Sequence, residues 1–271
     1  MEAVADAPVL NVGPSPARGE DHTPDAAESA GHLRPVDPPD EVDLRARWYT
    51  VRDQGKTGSC VGWALADSVM WRQLVEARRL EQDERLSPRF MWMAAKEMRA
   101  KLTEVKGEPA WRPTTFLEQG MTDVKSALDV ARTYGAALEA QLPFDDGLYD
   151  GSVEEFYESA ALRKITHYYR LDPDEDVSAE WFLHWRRWLD QHGPVLLVVT
   201  VDQAFVDGRP LLQEYDAGSA SFNHAAALVG YDADGFRIRC SWGDGWGEHG
   251  HVVAAEAYLE RATLETYGVV V

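Results

Sequence analysis

The sequence predicts an α+β protein with two lobes and a cleft between them. Two observations carry this prediction. Apolar residues recur at helical spacing through the first half of the folded part of the chain, whereas short β-rich runs separated by Gly and Asp turns fill the second half. A helical front followed by a strand-rich back is typical of two packed lobes, and a substrate would lie in the cleft between them.

The first 39 residues differ in composition from the rest of the chain. They contain no aromatic residue and are rich in Ala, Pro, Asp, Glu and Gly. Such a segment buries too little apolar surface to offset the entropy of ordering it. We therefore expect residues 1–39 to form a disordered, acidic and Pro-rich leader. We expect residues 40–271 to form the folded domain, since the chain is 45% hydrophobic and can build a core of that size.

The net charge limits the classes of partner. A formal charge of −19 repels phosphate backbones and anionic lipid, so neither nucleic acid nor membrane is an expected partner. A basic peptide or protein is compatible with this charge. The longest apolar run, Val195–Val201, is far shorter than the roughly 18 residues of a membrane span.

Cysteine usage and the N-terminal sequence bear on the compartment. Two cysteines, Cys60 and Cys240, are too few for a secreted disulfide framework, and free thiols are typical of a reducing cytosol. The first residues are acidic and interrupted by Pro and Gly, unlike a secretory signal. We therefore expect a cytoplasmic protein. Scarce Lys beside abundant Arg, Ala and Gly suggests a GC-rich bacterial genome.

The helices are predicted from apolar spacing and from capping residues. The first begins near Cys60 and runs toward Arg79. The last carries a stripe of three Trp residues, which is interpreted as core packing. The other predicted helices are a segment of about residues 88–99 capped by Ser87, one that follows Thr122 and ends at Gly135, a shorter one with a Ser152 and Glu155 capping box, and the one that carries Trp181, Trp185 and Trp188.

The strands are predicted from short apolar runs bounded by turn residues. In order, the runs are VLLVVTV, HAAALVGYD, FRIRCSW, HVVA and YGVVV.

Three residues have the chemistry of a thiol-dependent acyl-transfer site. Cys60 lies at the predicted start of a helix, where the helix dipole and unpaired amides favour a thiolate, although a buried inert Cys is the alternative. Gln54 lies six residues earlier, across a Gly-containing bend, and its amide is a candidate oxyanion donor. His224 begins an apolar strand and is the strongest candidate for the base. Neither a metal nor another cofactor is expected, because the Cys and His residues lack paired ligand spacing.

Three segments resemble, in order, the three motifs of the papain-like (C1-type) cysteine peptidases. They are QGKTGSC with the helix after it, NHAAALVGYD, and RCSWGDGWGEHGH. Supporting stretches such as LSPRFMW and GPVLLVV are similar to the bacterial branch of that family, and the resemblance runs from about residue 40 to the C-terminus. It implies a papain-like two-lobed fold, with a helical N-terminal lobe, an antiparallel β-barrel-like C-terminal lobe and the active-site cleft between them.

The resemblance also implies roles for individual residues. Cys60 takes the position of the nucleophile, His224 that of its general base and acid, and Gln54 that of the oxyanion donor. Trp242 takes the position of the indole that shields the histidine, and with Phe222 and Asn223 it makes up the candidate substrate-binding set.

One position departs from the family pattern. The orienting Asn of the family falls at Cys240, sixteen residues after His224. A sulfur is a much poorer acceptor for an imidazole N–H than an amide carbonyl, so the resemblance implies weakened chemistry rather than none. The family's aromatic residue after the nucleophile is also absent, since Val61 follows Cys60.

Three functions therefore stay open at the level of sequence. The first is a cysteine peptidase or thiol hydrolase that cleaves peptide or amide bonds through a Cys60 acyl-enzyme. The second is an acyltransferase or amide ligase of a tailoring pathway, in which an amine takes the acyl group. The third is a pseudoenzyme that binds a peptide, because the position of the triad Asn holds Cys240.

Overall fold

The computed structural model describes residues 12–16, 19, 21–102, 122–145, 149–172 and 179–271. It is an α+β structure, as the sequence predicts. The helices span Pro24–Ser29 (α1), Cys60–Gly62 (α2), Trp71–Glu76 (α3), Pro88–Leu102 (α4), Val124–Thr133 (α5), Val153–Ala161 (α6), Ala179–Gln191 (α7), Gln203–Val206 (α8) and Glu256–Ala262 (α9), and a π-helical segment, Trp63–Met70, joins α2 to α3.

The strands form one large, mainly antiparallel sheet. They span Val42–Asp43 (β1), His167–Arg170 (β2), Val195–Val201 (β3), Leu211–Leu212 (β4), Phe222–Asp232 (β5), Gly235–Arg239 (β6), His251–Ala254 (β7) and Thr263–Val270 (β8). Their order across the sheet is β2-β8-β3-β5-β6-β7-β4, and β1 pairs with β5. Among the described strands, only the short β4 pairs in parallel, with β7.

The sheet is covered on both faces, which explains why its central strands read as continuous apolar runs. Leu196 and Val198 of β3 belong to the apolar cluster that contains Cys60 and helices α2 to α5. The alternate residues Leu197 and Val199 belong to a second cluster, which contains the Trp stripe of α7. Successive side chains of a strand point to opposite faces, so β3 is buried on both sides.

The predicted helices are confirmed, with two differences in detail. The helix that starts at Cys60 is not uniform, since its middle is the π-helical segment, where the Trp71 N–H donates to the carbonyl of Ala66 five residues earlier. The cap of α5 is Asp123, whose carboxylate accepts from the Ser126 N–H, and not the neighbouring Thr122. A carboxylate is the better acceptor at a helix N-terminus, because it also interacts with the helix dipole.

The other predicted caps lie where the sequence places them. The Ser87 hydroxyl accepts from the N–H of Phe90 at the start of α4, and the Ser152 hydroxyl accepts from the N–H of Glu155. Gly135 follows α5 with a φ of +88°, a conformation that glycine adopts without steric cost.

The N-terminal segment is not the disordered leader that its composition predicts, as far as its described residues go. Val12 and Leu33 are 3% and 1% exposed, and Ala27 of α1 is fully buried. The Gly13 N–H donates to the carbonyl of Thr122 at 3.0 Å. A few well-placed apolar side chains and backbone hydrogen bonds to the domain compensate for the low average hydrophobicity of this segment.

No helix in the described part of the chain is both long enough and apolar enough to cross a membrane.

Candidate active site

The predicted nucleophile lies at the start of the first helix of the domain. Cys60 is the first residue of α2 and is fully buried, in contact with the sheet side of the molecule. Gly62 allows this helix to approach α4 closely, since a Cβ there would lie 2.4 Å from the Pro88 carbonyl oxygen. The N-terminal end of the helix therefore lies in the interior of the protein, next to β5.

The environment of the Cys60 sulfur has two opposing effects on its ionisation. Burial is the larger one and raises the pKa of the thiol to about 11. The amides of Ala225, Val61 and Cys60 itself lie against the sulfur and lower the pKa. The sequence predicts a lowered pKa from the helix start, whereas in the structure desolvation outweighs the amides and raises the pKa.

The predicted base lies in β5, next in sequence to Ala225, whose amide lies against the Cys60 sulfur. His224 precedes Ala225 in β5, is fully buried, and pairs with Val199 of β3. Its Nε2 lies 3.1 Å from the Cys240 Sγ. Burial lowers the pKa of His224 to about 3, so the imidazole is neutral. The other ring nitrogen, Nδ1, makes no hydrogen bond to any described residue.

Cys240 therefore contacts His224 at the position that the resemblance assigns to the orienting residue. It follows β6, and its N–H donates to the carbonyl of Gly250. Burial raises the pKa of its thiol well above the ordinary value, so it is a neutral S–H group at neutral pH. A thiol both donates and accepts, so the sulfur can accept from an Nε2–H or donate its own proton to a bare Nε2.

These two arrangements are chemically different. If the sulfur accepts, Nδ1 is free of a proton and can act as a base. If the thiol donates, the proton of the neutral imidazole lies on Nδ1, and His224 cannot accept a proton there. An Asn carbonyl would accept only, which selects one tautomer.

Gln54 is fixed beside Cys240 by its own side-chain hydrogen bonds. It is 1% exposed. Its Oε1 accepts from the Ser241 hydroxyl at 2.6 Å, and its Nε2 donates to the Thr57 carbonyl at 2.8 Å. The amide group carries a second N–H, which is the one that an oxyanion would use.

Aromatic side chains surround the histidine. The Trp242 ring lies 4.7 Å from the His224 ring, centroid to centroid, and is partly exposed. Phe205 of α8 contacts Trp242 edge to face at 5.5 Å, and Phe222 lies farther away at 6.4 Å. This arrangement covers one face of the imidazole and keeps water from it.

Asn223, the third residue of the predicted substrate-binding set, bonds within the protein. Its Oδ1 accepts from the Thr200 hydroxyl, and its Nδ2 donates to the Val12 carbonyl at 3.4 Å. The N-terminal segment therefore lies beside the residue that precedes His224. Val12 also belongs to the large apolar cluster that contains Cys60.

Sequence reasoning missed several residues that shape this site. Phe205 contacts Trp242, Ser241 contacts Gln54, and the Val12 carbonyl accepts from the Asn223 amide. Only Ser241 had a usable signal, because it adjoins Cys240 in a recognised motif. The other two are apolar residues that nothing distinguishes in the sequence from ordinary core.

Comparison with protein families gives a match over the second half of the chain. The sequence model described as the papain family cysteine protease matches residues 119–269. The match includes His224, Cys240 and Trp242, and it begins after Gln54 and Cys60.

Similar proteins include a cathepsin L-like proteinase of Fasciola hepatica, 25% identical over 221 residues that make up 79% of this chain and 59% of that protein. Cathepsin J of Mus musculus is 26% identical over 84% of this chain and 65% of its own length. The chain thus spans about three fifths of the length of these curated relatives.

A solved structure with a similar fold is that of Xylellain, a cysteine protease from Xylella fastidiosa. It superposes with a TM-score of 0.72 at 19% identity and covers 99% of this chain and 98% of its own. The likeness of the two folds extends over nearly the full length of both chains.

Proposed function

Since the chain belongs to the papain family of cysteine proteases, we propose that it is a cysteine peptidase that cleaves peptide or amide bonds through an acyl-enzyme on Cys60. The observation that carries the proposal is the placement of three groups in one buried site. The Cys60 sulfur lies against the amide of Ala225, and the preceding residue, His224, contacts Cys240 through Nε2.

The first step is attack of the Cys60 sulfur on the substrate carbonyl carbon. The thiol proton passes to Nδ1 of His224, which is free of hydrogen bonds to the described residues, and the carbonyl becomes an oxyanion. The second N–H of the Gln54 amide and the N–H of Cys60 are the donors for that oxygen. Contacts between nucleophile and base are often loose before substrate binds and tighten in the complex.

The second step is departure of the amine. His224 donates the proton to the leaving nitrogen, and the C–N bond breaks to leave a thioester on Cys60. A water molecule, deprotonated by His224, then attacks the thioester, releases the acid and restores the thiol. Trp242 covers the imidazole throughout and holds its ring in place.

Cys240 is the orienting group in this proposal, and a less selective one than Asn. The base must carry its proton on Nε2 and donate it to the Cys240 sulfur, while the alternative tautomer is inactive. The time that His224 spends in the inactive tautomer lowers the rate. The proposal is therefore a peptidase with weakened chemistry.

The substrate is proposed to be a peptide or protein, and the charge of −19 favours a basic one. We propose a cytoplasmic, bacterial protein that uses neither metal nor cofactor and binds neither nucleic acid nor membrane.

The test is cleavage of a peptide mixture, with new termini identified by mass spectrometry. Wild-type protein is expected to produce new termini, and Cys60→Ala and His224→Ala variants are not. Absence of new termini with wild-type protein would contradict the proposal.

The same assay distinguishes the two alternatives. Product that forms only when an amine acceptor is added would indicate an acyltransferase or ligase. Peptide binding without any covalent product would indicate a pseudoenzyme, which the complete burial of Cys60 and His224 would suit.

A further inference from the structure

We propose that Asp67 is a positioning residue of this site, because its carboxylate binds guanidinium groups from the segments that carry Gln54 and Cys240 and lies on the helical segment that carries Cys60. The inference rests on the proposed function, since it assigns these segments to one active site. Asp67 contacts none of the reacting groups and acts through the residues it holds.

The carboxylate lies inside the protein. Asp67 is in the π-helical segment, seven residues after Cys60, and its side chain is 4% exposed. Its Oδ2 accepts from the Arg239 Nη2 at 2.9 Å. Its Oδ1 accepts from the Arg52 Nε and the Arg85 Nη1, each at 3.0 Å. One carboxylate thus joins its helical segment to three other parts of the chain.

Arg239 connects this carboxylate to the strand that ends in Cys240. Its side chain is 1% exposed, and its guanidinium also donates to the Ser68 hydroxyl and to the carbonyls of Tyr49 and Thr50. The guanidinium lies 4.1 Å from the centre of the Tyr49 ring. The Arg239 side chain is therefore held by four polar groups and one aromatic ring, and these contacts also fix the backbone of the adjoining Cys240.

Arg52 connects the carboxylate to the loop of Gln54. It precedes Gln54 by two residues, stacks on the Trp63 ring at 4.6 Å, and forms an ion pair with Glu139 at 3.2 Å. Its carbonyl accepts from the N–H of Gly243, just beyond Trp242. The loop of the oxyanion donor is thereby tied both to the nucleophile helix and to the strand end.

The charges explain why this carboxylate is needed. Arg239 is almost completely buried, and a buried guanidinium without a counterion is strongly unfavourable. The carboxylate of Asp67 is its only ion-pair partner among the described residues. Removing that carboxylate leaves adjacent cations from three segments facing one another, so these segments should separate.

The geometry of the site is sensitive to such a movement. The contact between His224 Nε2 and the Cys240 Sγ is 3.1 Å, and it depends on where the end of β6 lies relative to β5. The Cys60 sulfur lies against the Ala225 amide of β5, so its position relative to His224 depends on how the helical layer lies on the sheet. Displacements of about 1 Å in catalytic groups lower rates by up to about 100-fold. The π-helical turn that carries Asp67 is of a type that often occurs at functional sites.

The experiment measures the alkylation rate of Cys60 by iodoacetamide from pH 6 to 11, with the site of modification identified by peptide mapping. The wild type is compared with His224→Ala, Asp67→Asn, Arg239→Lys and Arg52→Lys. Arg239→Lys keeps the charge but loses the planar fork, and Arg52→Lys is the milder change because Arg52 is 25% exposed.

The matched control is Arg237→Lys. Arg237 lies two residues earlier on the same strand and forms ion pairs with Asp232 and Asp43 rather than with Asp67. This control separates loss of any β6 arginine from loss of the Asp67 cluster.

At neutral pH, alkylation of Cys60 is expected to be faster in the wild type than in His224→Ala, and this difference is the His224-dependent rate. In the Asp67 and Arg239 variants it is expected to fall about tenfold or more, while the rate at pH 11, where the thiolate forms without the imidazole, stays unchanged. Arg237→Lys should behave as the wild type. General loosening of the fold would instead raise the rate at every pH, because it exposes a buried thiol.

An unchanged His224-dependent rate in all three cluster variants would overturn the inference and leave the proposed function intact. A faster rate at every pH in all three would overturn it too, because Asp67 would then only stabilise the fold. If the wild type has no His224-dependent rate at all, both the proposed function and the inference are wrong.

Discussion

The two cysteines lie near each other in the candidate site, and their surroundings differ. The Cys60 sulfur is surrounded by amides at the first turn of a helix, and these favour its thiolate. The Cys240 sulfur follows a strand, has the amides of Ser241 and Trp242 against it, and contacts Nε2 of His224. It also lies near Cys60, whose charge would oppose its ionisation. Burial raises both pKa values, so burial does not distinguish them.

The comparison favours Cys60 as the proposed nucleophile, because three amides lie against its sulfur and two against that of Cys240. Three amides can stabilise a thiolate on Cys60 once the imidazole has accepted its proton. Cys240 has an imidazole on one side, but it holds the place where a charge-neutral acceptor is needed. Exchanging the roles of the two thiols would place the negative charge on the sulfur with fewer amides against it.

The largest expected effect comes from removing one thiol and not the other. Cys60→Ala should lower the hydrolysis rate by at least about 1000-fold, as loss of a nucleophile does in comparable enzymes. Cys240→Ala should retain measurable activity, because the sulfur only orients the ring. Initial rates on a cleaved peptide measure both. Equal losses of rate in the two variants would mean that the two thiols do not have different roles.

A second prediction concerns the N-terminal segment, which contacts the clusters of both cysteines. Leu33 packs in the cluster that contains Cys240, so Leu33→Ala should lower the free energy of unfolding by about 2–5 kcal/mol. Val36→Ala is the control, because Val36 is 45% exposed and should change stability by less than about 0.5 kcal/mol. Urea denaturation measures both. Equal stabilities would mean that the segment does not contribute to the folded domain.

The third prediction concerns pH and the imidazole that contacts Cys240. Burial lowers the pKa of His224 from 6.5 to about 3, so the stability that goes with its neutral form is complete above pH 6.5 and is lost as pH falls toward 3. At pH 5 the loss is about 2 kcal/mol.

The measurement for this prediction is the thermal unfolding temperature at pH 7 and at pH 5. The neutral variant His224→Gln should lose less stability over this interval than the wild type. His251, whose pKa burial lowers to about 4, contributes to both proteins equally and cancels. An identical loss in the two proteins would show that His224 is not buried as a neutral group.

The smallest predicted effect tests how a thiol and an amide differ as the partner of His224. Cys240→Asn replaces a group that both donates and accepts with a carbonyl that selects the productive tautomer of His224. Single-turnover acylation should become about tenfold faster, which corresponds to about 1.4 kcal/mol. Cys240→Ser, which keeps a donor, should gain little. A rate that is unchanged in Cys240→Asn would mean that another group orients the ring.

Much of the fold could be predicted from the sequence because its signals are local. The strands at 195–201 and 222–232, the Trp stripe of α7 and the Ser152 cap follow from periodicity and capping chemistry, and all are confirmed. The roles of Cys60, His224 and Gln54 were assigned from motifs, and these roles stay predictions.

The features that the sequence did not predict depend on contacts between distant segments. The N-terminal segment has the composition of a linker, yet Val12 and Leu33 are buried because the domain offers them sites. The raised pKa of Cys60 depends on burial under β5, which a helix-start argument does not include. The Asp67 cluster joins residues more than 170 positions apart, and a single acidic residue in an apolar helix does not reveal its partners.

The measurement that tests the central claim most directly is intact-mass analysis after reaction with a peptide that carries a thiol-directed electrophile. The protein should gain the mass of one inhibitor, peptide mapping should place it on Cys60, and both Cys60→Ala and His224→Ala should greatly slow the reaction. Modification of Cys240 in preference to Cys60, or labelling at the same rate in His224→Ala, would contradict the account.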